Sequence, residues 1–244
     1  MIIQGTTIQN ATVKDVYNIV TANLVANYDP HTGISGSTFN DSSGNGYNAT
    51  LYNSPTTTSV NGFNVLQLNG TNQYYYYTPG YTSLTGAVTF DAWFNTSQVS
   101  NQAIVSEYGQ AGLAGGWEDA VLGLNSTKMA GGVYNGSTGG YKASTNNYSS
   151  STWYNLTFTA AAGAYNLYVN GIVQGSPLNT TRQTTPSPLY YAVGYPDGTA
   201  GIYLGGGGSN YFKGMIGPVK FYSTTLTQSQ ITQNFNALRG RFGV

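Results

Sequence analysis

Short apolar runs separated by turn-forming residues are the feature that most restricts how this chain can fold. The runs include NVLQLN, AVTFDAWFN, AIVSEYG, WYNLTFTA, YNLYVNGIVQG and MIGPVKFYS, and clusters of Gly, Asn, Ser and Pro stand between them. Strands of this length with frequent turns are typical of antiparallel sandwiches and barrels. The sequence therefore predicts an all-β fold, a two-layer antiparallel β-sandwich.

A hairpin within this pattern can be predicted in detail. Apolar side chains alternate with polar ones from Tyr154 to Ala160, and Gly163 then permits a turn. The next apolar run ends at the dipeptide Asn170-Gly171, which suits the positive φ angles of a two-residue hairpin turn. We therefore expect antiparallel hairpin structure throughout this segment.

Aromatic residues in the strand patterns are assigned by their alternation. Trp93 and Trp153 lie in strand patterns and are predicted to pack in the core. In the run from Tyr74 to Tyr77, successive side chains would point to opposite faces of a strand. Two of these rings would then help to fill the core, and two would present hydroxyls outward to a neighbouring protein or a glycan.

A short helix is predicted at the end of the chain. In TQSQITQNFNAL, the apolar residues Ile231, Phe235 and Leu238 recur at helical spacing. Thr227 and Gln230 stand three residues apart, which is the spacing of a capping box. The sequence therefore predicts an amphipathic C-terminal helix that closes the domain.

The length of 244 residues suits one large β domain. We assign residues 1–22 to an N-terminal arm or short helix, because a weak helical stripe of Val and Tyr precedes the first strand pattern. Residues 23–226 form the sandwich, and residues 227–244 form the C-terminal helix and tail. This division places the whole β-rich sequence in a single domain.

Composition excludes several classes of partner. Charged residues make up 7% of the chain, and eight Lys and Arg balance eight Asp and Glu. A basic surface is absent, so we expect neither nucleic acid nor an anionic membrane as a partner. No apolar stretch approaches the about 18 residues of a membrane-spanning helix. Cysteine is absent, which excludes disulfides and thiolate metal sites.

Several segments, taken in order, resemble the concanavalin A-like lectin/glucanase superfamily, particularly its laminin-G-like and pentraxin-like jelly rolls. The matching segments are NLVANYDP, DSSGNGYNATLYN, NVLQLNGTNQYYYY, VTFDAWFNT, STWYNLTF, YNLYVNGIV and NYFKGMIGPVKFYSTTLTQSQITQNFNAL. Together they cover most of residues 23–238. The resemblance implies a jelly-roll sandwich, but such a fold hosts many functions, so the site must be argued separately.

The closing segment QITQNFNALRGRFGV is similar to a variant of this domain found in structural proteins of tailed phages and other large viruses. In that variant the domain ends in a helix and a short Arg-Phe-Gly tail. The resemblance implies a virion component whose partners are other virion proteins and copies of itself. Whether the tail, with Arg239 and Arg241, docks on its own domain or on another chain is left open by the sequence.

The loop DSSGNG, early in the chain, is predicted to be a sharp corner between strands. Asp41 and Ser42 can accept backbone N–H bonds, and the Gly-Asn-Gly after them tolerates left-handed conformations. The alternative is a calcium site, with Asp29, Asp41 and Asn45 supplying some of the about six to eight oxygens that Ca²⁺ takes. No cofactor is otherwise expected. A phosphate cradle is excluded, because no Lys follows the glycines and no helix begins there.

Catalytic residues are not apparent. The Glu-x-Asp-x-x-Glu motif of the glucanases in this superfamily is absent, and the only glutamates are Glu107 and Glu118. The adjacent Glu118 and Asp119 would point to opposite faces of a strand, which argues against a working pair. The single histidine, His31, is expected to be a turn residue. We therefore predict a protein that is not an enzyme, with a glycosidase that uses Glu107 or Glu118 as the alternative.

Two loops are candidates for sugar binding. In GGWEDA, Trp117 stands beside Glu118 and Asp119, which would combine an aromatic platform with polar groups; the alternative is that Trp117 fills the core. In VGYPDGTAG, Tyr195 and Asp197 form the second candidate, and the alternative is a plain Pro-Asp-Gly turn. These five residues are the predicted carbohydrate-binding set.

Two functions follow from these observations. The first is a virion structural protein on the particle surface, either a capsid decoration or a tail or fibre component. The second is a carbohydrate-binding module for host attachment, with a cell-surface glycan as its partner. The two functions are compatible with each other.

Overall fold

Alternating side chains build two stacked antiparallel sheets, as the sequence predicts. The computed structural model describes residues 18–113, 118–133, 140–183, 187–195 and 210–244, with the backbone alone for residues 118–120. Within these ranges the elements, in chain order, are β1 (Leu24–Tyr28), α1 (Pro30–Gly33), β2 (Ile34–Ser35), β3 (Thr38–Phe39), β4 (Ala49–Tyr52), β5 (Thr56–Val60), β6 (Phe63–Asn69), β7 (Tyr74–Tyr76), β8 (Val88–Thr96), β9 (Gln102–Tyr108), β10 (Glu118–Asn125), β11 (Lys128–Gly132), β12 (Tyr141–Asn147), β13 (Trp153–Ala161), β14 (Ala164–Val169), β15 (Ile172–Val173), β16 (Tyr190–Val193), β17 (Lys213–Tyr222) and α2 (Gln228–Phe242).

The first sheet has eight strands, in the order β15-β14-β13-β8-β17-β6-β5, with β1 also paired to β17. The second sheet has nine strands, in the order β12-β11-β10-β9-β16-β7-β4-β3-β2. Neighbouring strands pair in antiparallel fashion, for example β13 with β8 and β16 with β9. The predicted all-β sandwich with a C-terminal helix is therefore confirmed.

The predicted hairpin is also confirmed. β13 and β14 pair through a turn that contains Gly163, which has a φ of 76°. β14 and β15 then pair through Asn170 and Gly171, whose φ angles are 51° and 76°. Positive φ at both turn residues is the geometry for which an Asn-Gly dipeptide is favoured.

The main core lies between the two sheets. Its side chains come from both inner faces, and the aromatic ones include Phe90, Phe94, Phe158, Tyr165, Tyr191 and Phe221. Alternation alone would leave the outer residues of each strand in water. Every residue of β8 is nevertheless buried, because further structure covers the outer face of the first sheet as well.

Helix α2 provides this cover. Thr227 and Gln230 form the predicted capping box, and Gly243 closes the helix with a φ of 71°. The helix continues beyond the predicted Leu238 as far as Phe242, whose ring centroid lies 4.5 Å from that of Trp93. The corresponding distance from Phe242 to Trp153 is 4.4 Å. Both tryptophans are therefore core residues, as predicted, but of a second core between the first sheet and α2.

Strand β17 shapes the surface on which α2 docks. Its first half, 213–216, pairs with β6 and its second half, 219–222, pairs with β1. The register with β8 shifts between the two halves. A Cβ atom on Gly217 in this break would lie 2.8 Å from Cζ of Phe242 and 2.9 Å from Cβ of Trp93. Glycine at this position therefore allows the end of α2 to approach the sheet closely.

The C-terminal tail docks on its own domain. Arg241 is buried, and its Nη1 donates to Oδ2 of Asp29 at 2.7 Å. The carbonyl oxygen of Arg241 accepts a bond from Nδ2 of Asn61 at 3.1 Å. Arg239, by contrast, is exposed. Of the two alternatives left open by the sequence, Arg241 and Phe242 therefore follow the first: they dock on their own domain.

The chain just before β1 also lies against α2. Gln233 Nε2 donates to the carbonyl oxygen of Asn18 at 2.7 Å, and the backbone N–H of Val20 donates to Oδ1 of Asn234 at 2.8 Å. Tyr222 OH donates to the carbonyl oxygen of Val20 at 3.0 Å. Of the predicted arm 1–22, residues 1–17 lie outside the described residues, and the remainder is bound to the helix.

Candidate functional site

The outer face of the second sheet is rich in tyrosine. Because side chains alternate, Tyr75 points into the main core while Tyr74 and Tyr76 point outward, as predicted for this run. We call the resulting surface the tyrosine face, and it consists of Tyr52, Tyr74, Tyr76, Tyr108, Tyr190, Tyr195 and Tyr211. It lies on the side of the sandwich opposite to α2.

Rings from β4 and β7 form a stack on this face. Tyr52 and Tyr74 are register partners, and their ring centroids lie 4.7 Å apart with an interplanar angle of 6°. Tyr52 also stacks on Tyr76, at 5.2 Å and 19°. Directly paired residues of neighbouring strands hold their side chains side by side, so the sheet itself fixes the stack.

Tyr195 joins this stack to the rest of the tyrosine face. Its ring lies 4.6 Å from Tyr74, 5.8 Å from Tyr108 and 5.3 Å from Tyr211 in edge-to-face geometry. The preceding Gly194 has a φ of 85°, and a Cβ atom there would lie 2.5 Å from Cδ1 of Leu68. Glycine is therefore required for the chain to leave β16 in the direction that places Tyr195 on this face.

One described residue from each loop predicted to bind sugar lies beside Tyr108. In the second sheet, Tyr108 pairs with Glu118 on β10 and with Tyr190 on β16. The backbone position of Glu118 is thus next to the residue that Tyr195 contacts. Asp119 pairs with Glu107 one position further along β9. Sequence reasoning treated the loops as separate candidates, because strand order and register are not visible in the sequence.

Two members of the predicted set, Trp117 and Asp197, lie outside the described residues. Tyr52, Tyr74 and Tyr76 are missing from that set, although the Tyr74–Tyr77 run was assigned partly to the surface. The signal that could have found the stack is the alternation in NATLYN, which places Tyr52 on the same face as the outward tyrosines. These tyrosine-face residues therefore extend the candidate site.

Exposure divides the tyrosine face into two layers. Tyr52, Tyr74, Tyr195 and Tyr211 are half-buried, whereas the remaining members are buried. Burial, followed by the neighbouring Tyr195, raises the pKa of Tyr74 from 10.0 to about 12. The Tyr74 hydroxyl therefore stays neutral at physiological pH, and it can both donate and accept a hydrogen bond.

A polar rim borders the stack. Gln73 Nε2 donates to the carbonyl oxygens of Asn53 and Ser54, at 3.1 Å each. Asn53 Nδ2 donates in turn to the carbonyl oxygen of Asn72 at 2.5 Å. These residues directly follow Tyr52 or precede Tyr74. The hydrogen bonds of their side-chain amides therefore hold both ends of the stack in place.

Glu107 lies on the opposite, inner face of β9. Its carboxylate is fully buried, forms an ion pair with Arg182 and accepts a bond from Tyr191 OH at 2.5 Å. Arg182 Nη1 also donates to the carbonyl oxygen of Leu84 at 2.6 Å. Burial, and then the Glu107 carboxylate, raise the pKa of Tyr191 well above its ordinary value. Glu107 therefore organises the interior of the sandwich, and the absence of enzyme activity stays a prediction.

The DSSGNG loop is a corner, as predicted. Asp41 Oδ1 accepts from the backbone N–H groups of Asn27 and Ser43, at 2.8 Å each. Asp41 Oδ2 accepts from the backbone N–H of Tyr47 at 3.2 Å. Asn45 Nδ2 donates to the carbonyl oxygens of residues 24 and 25, which fastens the loop to β1.

Asp29, the third candidate calcium ligand, has its carboxylate engaged by other groups of the protein. It caps the short helix α1 by accepting from the backbone N–H of His31 at 3.0 Å, and it pairs with Arg241. His31 Nδ1 accepts from the N–H of Asn64 at 3.2 Å, so this turn residue has a structural contact. In the described part of the chain, no three His, Cys, Asp or Glu side chains gather as metal ligands. Calcium binding stays a prediction.

The molecule is thus a β-sandwich with one outer face covered by a helix and the other carrying stacked tyrosines. Comparison with known families is specific: a model of the concanavalin A-like lectin/glucanases superfamily matches residues 69–232, more than half of the chain. The chain therefore belongs to this superfamily, as its resemblance implied. A search of curated proteins returns no match.

Solved structures with a similar fold include proteins of three kinds. Trypanosoma rangeli sialidase in complex with sialic acid has a TM-score of 0.62 and 19% identity, over 89% of this chain and 33% of the sialidase. The binding domain of Paraclostridial Mosquitocidal Protein 1 has a TM-score of 0.64 and 14% identity, over 89% of this chain and 52% of that domain chain. Domain 4 of AbnA, a GH43 extracellular arabinanase from Geobacillus stearothermophilus, in complex with arabinotriose, has a TM-score of 0.58 and 18% identity, over 87% of this chain and 98% of domain 4.

These identities support a common fold and nothing finer. The chain spans about a third of the length of the sialidase. None of the helices among the described residues has the length and apolar character needed to cross a membrane.

Proposed function

We propose that this protein is a carbohydrate-binding β-sandwich that holds sugar rings against its tyrosine face. The observation that carries the proposal is the half-buried Tyr52–Tyr74 stack, with an interplanar angle of 6°. Flat aromatic surfaces bind the apolar faces of sugar rings, and neighbouring hydroxyls and amides fix their orientation. Tyr195 and the polar rim at Gln73 supply such groups.

The similar structures support the same class of ligand. The sialidase was solved with sialic acid and domain 4 of the arabinanase with arabinotriose, so this fold serves proteins that contact sugars. The tyrosine face, as defined, contains no Lys, Arg, Asp or Glu side chain. We therefore expect a neutral glycan to bind better than a strongly acidic one.

Substitutions in the stack test this proposal. Tyr52→Ala and Tyr74→Ala each remove one ring, and we expect a loss of affinity of about tenfold, or ~1.4 kcal/mol, for each. A glycan array identifies the ligand, and titration calorimetry measures its affinity. Tyr141→Ala is the matched control, because Tyr141 is an exposed tyrosine on β12, at the far edge of the same sheet.

The proposal fails if the wild-type protein binds no glycan on the array. It also fails if both stack variants bind like the Tyr141→Ala control. Circular dichroism of each variant separates a lost contact from a lost fold.

Display on a virion is the second proposed function, and it is compatible with the first. Asn18 and Val244, at the two ends of the described chain, lie on the side of α2, away from the tyrosine face. Attachment through either end would leave the tyrosine face free. A surface position on a particle, among other virion proteins and copies of the same chain, would then allow host attachment.

A further inference from the structure

Three neighbouring strands of the first sheet place a polar cluster beneath α2. Lys220 on β17 is the register partner of Asp91 on β8, and Asp91 is the register partner of Thr157 on β13. Asn155 lies two residues before Thr157 on the same face. We call these four residues the buried cluster, since none of them is more than 1% exposed.

One carboxylate connects the members of the buried cluster. Lys220 Nζ donates to Oδ1 of Asp91 at 2.9 Å, and Asn155 Nδ2 donates to Oδ2 at 3.0 Å. Thr157 Oγ1 lies 2.8 Å from Oδ2 of Asp91 and 3.4 Å from Oδ1 of Asn155. An amine and a carboxamide are thus each one hydrogen bond away from the same acid.

Burial makes the charged form of this arrangement expensive. An ion pair removed from water loses solvation that its mutual attraction repays only in part. Transfer of one proton from the Lys220 ammonium to the Asp91 carboxylate removes both charges. It also leaves Lys220 as a neutral amine, which is the nucleophilic form.

We propose that Lys220 and Asn155 join in an intramolecular amide bond, with Asp91 as the catalytic acid and base. Asp91 accepts a proton from Nζ, and the Nζ lone pair attacks Cγ of Asn155. The Nζ of the adduct gives up a second proton, Asp91 returns the first to Nδ2, the Cγ–Nδ2 bond breaks, and the nitrogen leaves with both protons as ammonium. One C–N bond forms and one breaks, so neither an oxidant nor a co-reactant is needed.

Two further features fit this reaction. As Nζ attacks, negative charge develops on Oδ1 of Asn155, and once Asp91 is protonated the Thr157 hydroxyl, which donates to Asp91 in the structure, is free to donate to that oxygen instead. A cavity of about 340 Å³, lined by Lys220 together with Ile19, Pro218 and Leu238, borders the Lys220 side of the buried cluster. The reacting groups are held on three paired strands, with Asp91 on the middle strand between Lys220 and Asn155.

The mass of the intact full-length protein tests the proposal. We expect the wild-type chain to be lighter than its sequence mass by one ammonia molecule. Lys220→Arg and Asp91→Asn should each restore the full sequence mass, since the first removes the nucleophile and the second the proton carrier. Lys213→Arg is the matched control, because Lys213 is an exposed lysine on the same strand and should leave the deficit unchanged.

Peptide mapping locates the bond. Trypsin does not cleave after an acylated lysine, so the peptides 143–182 and 214–239 should appear as one cross-linked species with Lys220 uncut. A wild-type protein with its full sequence mass and two separate linear peptides would overturn the proposal. A deficit of one water molecule would also overturn it, because that result marks a Lys220–Asp91 amide instead. The wild-type measurement decides the outcome even if a variant does not fold.

Discussion

Arg241 connects parts of the sequence that lie 212 residues apart. Its guanidinium pairs with Asp29, and its Cζ atom lies 4.8 Å from the centroid of the Phe63 ring. Local patterns contain no information about such a pair, so the sequence left the role of this arginine open. The same holds for Glu107, whose partner Arg182 comes from a segment 75 residues away.

We predict that Arg241→Ala destabilises the protein by about 3–5 kcal/mol, because it leaves the buried Asp29 carboxylate without its cation. The free energy of unfolding in urea provides the measurement. Arg239→Ala is the control: Arg239 is exposed and contacts the Phe235 ring at 5.4 Å, so its loss should cost about 1 kcal/mol or less. Equal effects of the two substitutions would contradict the role of the Asp29 pair.

At the scale of elements, α2 was predicted from its apolar spacing and capping box, both of which are local. The predicted helix stopped at Leu238, although Phe242 follows Leu238 by four residues and so continues the same apolar stripe. The ring of Phe242 stacks on Trp93 and Trp153. Tertiary packing thus stabilises a last turn that contains Gly240, a poor helix former.

We expect Phe242→Ala to destabilise the protein by about 3–5 kcal/mol through loss of this buried ring. Tryptophan fluorescence should shift to longer wavelength, because Trp93 and Trp153 lose part of their apolar cover. Ile172→Ala is the control, since Ile172 is 66% exposed and its truncation should change neither quantity. An unchanged fluorescence spectrum in the Phe242→Ala variant would show that α2 does not depend on this contact.

At the scale of the whole molecule, the fold class was predictable because alternation and turn chemistry act over a few residues. The order of strands within each sheet was not predictable. For that reason the sequence supplied Glu118 and Tyr195 as separate candidates, and only the order β10-β9-β16 brings both beside Tyr108. The outward direction of Trp93 was hidden for a related reason, since a strand pattern does not reveal which face α2 will cover.

If the protein is a virion component, residues 1–17 are the segment to remove. Deletion of residues 1–20 would also destroy the bonds of Asn18 and Val20 to α2, so the shorter deletion separates attachment from folding. We expect the shortened chain to remain folded but to be absent from purified particles, as measured by quantitative mass spectrometry. Tyr52→Ala should be incorporated normally, and unchanged occupancy of the shortened chain would contradict the predicted arm.

The position of β17 has a consequence for biosynthesis. This strand lies inside the first sheet, with β8 along one side and β6 and β1 along the other. It nevertheless comes late in the chain, at residues 213–222 of 244. While the chain emerges from a ribosome, the edges of β8 and β6 that will later pair with β17 remain unpaired. The first sheet is therefore completed only after residue 222 has been synthesised, and a chain interrupted before β17 leaves β8 and β6 each without one of their two sheet partners.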